Sequence, residues 1–136
     1  MKKYVTRTFG LMLSLALVFS LTCLSAAAAQ KPTIEPQYTG IASIVASLDI
    51  NSLGKASCYG SVVIRSGYNV DLTVELQRDG DTIKTWTDSG SSDFSIDKSY
   101  YVTPDHDYQV VVTAEVYNSR GVLVDDPTVK SVIRSY

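Results

Sequence analysis

Alternation with a period of two governs most of this chain. Val70, Leu72, Val74 and Leu76 alternate with Asn69, Asp71, Thr73, Glu75 and Gln77. Successive side chains of a strand point to opposite faces, so the run predicts a half-buried strand with its valines and leucines inward. Tyr108, Val110, Val112, Ala114 and Val116 predict a second against Gln109, Val111, Thr113, Glu115 and Tyr117. Ala42, Ile44, Ala46, Leu48 and Ile50 predict a third; its β-branched content favours strand over helix. Ala56, Cys58, Gly60, Val62 and Ile64 form the inward set of a fourth.

Turn residues fall between these runs. Asp79-Gly80 separates Leu72–Arg78 from Thr82–Asp88, a hairpin signal because glycine accepts positive φ without steric cost. Ser66-Gly67 and Ser89-Gly90-Ser91-Ser92 close two further segments, with Phe94 and Ile96 inward in the strand continuing to Val102. Asn118-Ser119-Arg120-Gly121 turns the chain into Val122–Val124. Pro127 cannot donate to a ladder, so Asp125-Asp126-Pro127 predicts a bulge on an edge strand that Thr128–Arg134 completes. About seven strands, so spaced and without a helix, predict an all-β, two-sheet antiparallel sandwich.

The first 29 residues follow another rule. Lys2, Lys3 and Arg7 precede an apolar run over Phe9–Leu24, and Ser25–Ala29 offers small side chains. That is the pattern of an export signal, forming a helix and cut after Ala29 or one residue earlier. Cys23 lies near the end of the run, but Ser20-Leu21-Thr22 does not place a Leu at −3 and a small residue at −1, as a lipidated cysteine normally requires. The expected organisation is a signal peptide over 1–29, a Pro-containing leader over 30–37 and one domain over 38–136. Cleavage leaves about 107 residues, enough for one core and not for two. It also removes three cations, so the net charge moves from −2 to about −5. An acidic chain with no basic run is a poor partner for nucleic acid, and membrane contact is expected only through an uncleaved signal. Cys58 then has no partner thiol, and its place beside Val62 and Ile64 predicts a core side chain rather than a reactive one.

Thr103-Pro104-Asp105-His106-Asp107-Tyr108, followed by an alternating strand, resembles the corner between the fifth and sixth strands of fibronectin type III and other immunoglobulin-like domains. The resemblance implies that the Tyr108 ring fills the edge of the sandwich while its hydroxyl bonds backbone upstream. Tyr38–Tyr136 is also similar to a group of small exported domains of Gram-positive bacteria, through Cys58–Val62, Leu76–Arg78, Ile83–Trp86 and Tyr108–Tyr117. That likeness implies fold and export and carries no activity.

Chemistry is sparse. His106 sits between Asp105 and Asp107, but acids beside it in a turn do not give the across-the-ring geometry of a Ser-His-Asp arrangement. Asp79 with Asp81, Asp105 with Asp107, and Asp125 with Asp126 lack the run of oxygen ligands of a calcium loop. No metal or other cofactor is therefore expected, and no enzymatic activity. Aromatic residues are the remaining signal. Alternation with Ile83 and Thr85 places Trp86 outward, and Tyr117 ends an outward row, with Thr73 and Glu75 between them. Exposed aromatics on a sheet can stack on sugars or anchor a protein, and can equally cover the sheet by cross-strand packing. The expectation is a non-enzymatic module, secreted or loosely surface-associated, that binds an extracellular protein or glycan through Trp86, Tyr117, Thr73 and Glu75. A structural envelope protein, or a hydrolase or inhibitor using the Asp105–Tyr108 loop, is the alternative.

Overall fold

The computed structural model describes Gln37–Tyr136; the expected signal peptide and most of the leader lie outside the described residues. Nine strands occur in chain order: β1 (Ile41–Ile50), β2 (Lys55–Ile64), β3 (Asn69–Arg78), β4 (Asp81–Gly90), β5 (Phe94–Tyr101), β6 (Asp107–Tyr117), β7 (Leu123–Asp125), β8 (Thr128–Lys130) and β9 (Arg134–Ser135). No helix occurs among the described residues. The strands form two antiparallel sheets packed as a sandwich. One has the order β1-β2-β5; the other has the order β4-β3-β6-β7, with β8 and β9 also paired to β6.

The alternating sets meet between the sheets. Ala56, Cys58 and Val62 of β2 are buried with Val70, Leu72, Val74 and Leu76 of β3 and Val110, Val112, Ala114 and Val116 of β6. Gly60 belongs to this inward set for a steric reason. A Cβ there would lie 2.5 Å from Val74 Cγ2 and 2.8 Å from Val112 Cγ2, so the sheets close on each other through the missing side chain.

Turn chemistry sets the register. Asp79 and Gly80 have φ of 52° and 93°, and Arg78 pairs with Asp81 around them. Positive φ at both central residues gives the turn whose twist matches its flanking strands. Two other turns share one solution. In Asn51-Ser52-Leu53-Gly54 the Asn51 side chain accepts from Leu53 N and Lys55 N, both at 3.0 Å. In Asn118-Ser119-Arg120-Gly121 the Asn118 side chain accepts from Arg120 N and Val122 N. The two glycines have φ of 77° and 76°.

Three expectations need correction. Ile41, not Ala42, is buried at the start of β1, because a register shift between Ile41 and Ser43 makes Ala42 the extra residue. The last strand is broken twice rather than bulged once. Pro127 keeps the ladder going through its carbonyl, which accepts from Ala114 N at 3.0 Å. At the second break Ser131 is buried, and its Oγ accepts from Val110 N at 2.9 Å. The third correction concerns Trp86. It pairs with Val74, whose side chain points between the sheets, so Trp86 lies on the inward side of the edge strand β4. A bulge opposite Leu76–Gln77 makes this possible: it brings Ile83 against the core as well, although Ile83 and Trp86 are an odd number of residues apart.

Strand β1 is tied to the opposite sheet at both ends. The Asp125 carboxylate accepts from Thr39 N at 3.0 Å and Gly40 N at 2.6 Å. Arg134 Nε donates to Leu48 O at 3.4 Å.

Candidate functional site

The open side between β4 and β5 forms a cleft of about 390 Å³ lined by Trp86, Asp88, Ile96, Asp97 and Lys98, among others. Trp86 and Asp88 share one side of β4, since they pair with the inward Val74 and Leu72. Ile96 and Lys98 share the inward side of β5, since they pair with Gly60 and Cys58. Trp86 is half-buried and packs on the core with part of its indole toward the cleft. The charges around it are uncommitted. Asp88 accepts only from the neighbouring Ser89 N, at 2.8 Å, and among the described residues Asp88, Asp97 and Lys98 form no ion pair. The cleft thus offers an aromatic surface, acceptors and a cationic donor together.

The other predicted surface residues are not beside Trp86. Thr73, Glu75 and Tyr117 lie on the outer face of the larger sheet, because their neighbours Leu72, Val74 and Val116 point inward. Thr73 pairs with Thr113 on β6 and Thr87 on β4, and Thr113 pairs with Thr128 on β8, so four threonines form one rung across the face. Thr113 and Thr128 share a hydrogen bond of 3.0 Å. The Tyr117 hydroxyl donates to Glu115 Oε2 at 3.1 Å. Desolvation and that carboxylate push the Tyr117 phenol above its ordinary pKa. This face is a polar surface held by its own cross-strand contacts.

A second concavity lies at one end of the sandwich, lined by Asp79, Asp105, His106, Asp107, Ser135 and Tyr136. The partner of His106 is neither adjacent acid. It is Asp79 from the β3–β4 turn, whose Oδ2 lies 2.6 Å from His106 Nδ1. A carboxylate only accepts, so Nδ1 carries the proton. Asp107 N donates to Asp79 Oδ1 at 3.0 Å. That backbone bond, with the histidine, holds the Asp79 carboxyl below its ordinary range. Backbone bonds between His106 and Tyr136 in both directions fix the end of the chain beside the loop. The Ser135 hydroxyl donates to Asp107 rather than to His106, so it is not aligned as a nucleophile on the His106–Asp79 pair. Sequence distance concealed the pairing: the two residues are 27 positions apart.

Tyr108 and Cys58 both lie in the core. Tyr108 is buried, and its hydroxyl donates to Thr103 O at 2.7 Å and accepts from Thr103 N at 3.1 Å. Cys58 is a buried free thiol, and desolvation followed by the nearby Asp97 charge pushes its pKa up to about 11. Among the acid pairs, Asp125 serves as the clamp on β1.

No protein-family model matches the chain, and no curated protein matches it. Among the described residues no group of three or more His, Cys, Asp or Glu is placed to hold a metal ion, and no helix is long and apolar enough to cross a membrane.

Proposed function

We propose that this is a non-enzymatic recognition domain, immunoglobulin-like and of fibronectin type III character, that works outside the cytoplasm by binding an extracellular protein or glycan. The observation that carries the reading is the β4–β5 cleft, where the only tryptophan of the chain stands among charges that form no ion pair among the described residues. Ligand sites commonly combine an apolar wall with a few convergent polar groups. Strand order and the Tyr108 corner support the fibronectin-like assignment. The charged, apolar and small-residue succession over Met1–Ala29 supports export. The partner surface is thereby moved from the Thr73–Glu75–Tyr117 face to the Trp86 side.

The test is retention of the purified domain on cell-surface and glycan fractions. Trp86→Ala is expected to lose retention while its melting curve stays cooperative, and unchanged retention overturns the reading. Fractionating cells from medium separates a released module from a structural envelope protein. A secreted hydrolase or inhibitor is the second reading, favoured by the oriented His106–Asp79 pair and weakened by the direction of the Ser135 hydroxyl. It predicts an activity that His106→Gln abolishes.

A further inference from the structure

The charges that line the cleft restrict what can occupy it. Among the described residues both strands that border it are sheet edges, and an exposed edge ordinarily invites an added strand. Here each edge carries charge on its inward side: Lys84 and Asp88 on β4, opposite Leu76 and Leu72, and Lys98 on β5, opposite Cys58. Inward-pointing charges are a device that blocks edge pairing. A peptide strand completing either sheet would desolvate them without giving them partners. An occupant must instead leave Asp88 and Lys98 hydrogen-bonded while covering the indole.

A sugar ring meets both conditions. Each hydroxyl donates and accepts, so one diol can donate to a carboxylate and accept from the Lys98 ammonium. The C–H face of a pyranose is apolar enough to lie on an indole, whose π face carries partial negative charge. The cleft volume of about 390 Å³ is near the lower end for small-ligand sites, the range suited to one or two rings. We infer that the Trp86 cleft is a saccharide-binding site, with Trp86 as stacking platform and Asp88 and Lys98 as hydroxyl partners. This rests on the recognition-module reading above and names its ligand class.

The sole tryptophan makes the site its own reporter. Emission of the domain is followed during titration with cellotetraose, xylotetraose and the tetramer of N-acetylglucosamine, and sedimentation with purified cell-wall polysaccharide is measured alongside. At least one sugar is expected to shift the emission saturably, with Kd of about 0.1–1 mM for so open a site. Asp88→Ala and Lys98→Ala, each with an unchanged melting temperature, are expected to weaken binding about 10-fold, the effect of losing a charge-assisted hydrogen bond. Thr73→Ala, on the other face, is expected to leave it unchanged. Absence of any shift at 10-fold above that range (about 10 mM), with no sedimentation, overturns the saccharide assignment. In that case, Trp86-dependent retention of an extracellular protein preserves the broader reading and places a polypeptide in the cleft. Loss of both removes the two together.

Discussion

Gly60 shows how far one side chain can set the spacing of two sheets. Alternation assigned it inward, but only the approach of Val74 and Val112 explains why nothing larger than hydrogen occupies the site. Gly60→Ala is expected to destabilise the domain by about 1–3 kcal/mol through overpacking, read as a lower urea midpoint with an unchanged slope. Tyr108→Phe removes the hydroxyl that serves both backbone groups of Thr103 and is expected to cost about 1–2 kcal/mol in the same assay. Cys58 was legible as core from its neighbours, and its raised pKa adds chemistry to that placement. The thiol is expected to resist an aromatic disulfide reagent at pH 8 in the native protein and to react fully in urea. Rapid native reaction would show that it is accessible. Trp86 was misplaced for a reason equally local. Strict alternation cannot put Ile83 and Trp86 on one side, and the bulge that does so leaves no mark in β4, which has no glycine or proline at that point.

At the scale of elements, the central strands were readable and the edges were not. β2, β3 and β6 have partners on both sides, so register and burial enforce the period that sequence displays. β1 and β4 are edges, where bulges are tolerated and break the period. The last strand was legible only up to Pro127, since Ser131 reads as an ordinary polar residue until its hydroxyl is seen accepting a ladder bond. The Asp79–His106 contact joins two loops whose proximity follows from the non-local pairing of β3 with β6, so the histidine's partner could not be read locally. That contact has a pH signature. The folded state holds the Asp79 pKa below its ordinary value of 3.8, so its contribution is complete above that value and is lost as pH falls through the lowered one. Asp79→Asn retains a residue suited to positive φ but cannot ionise. The difference in melting temperature between wild type and this variant is expected to be full above about pH 4 and to shrink below it. A difference independent of acid would remove the ionised Asp79 carboxylate from the account.

As a whole molecule, the sandwich is assembled from pairings far apart in sequence: β2 with β5, β3 with β6, and β1 held by β7 and β9. Non-local pairing delays the reward for closing loops, so refolding of the 37–136 domain is expected on a millisecond-to-second scale in stopped-flow fluorescence. Microsecond refolding would contradict a nucleus built across strands. Because Trp86 sits against the core at the rim of the cleft, its emission is expected to report folding as well as the proposed saccharide binding.

The double tie on β1 also gives the domain a direction. A pull on the chain ahead of the sandwich first meets Arg65, whose Nη1 donates to Tyr38 O and Thr39 O, and then the Asp125 carboxylate on the Thr39 and Gly40 amides. One grip lies just past β2 and the other on β7, so load entering there is divided between the two sheets instead of falling on the β1–β2 ladder alone.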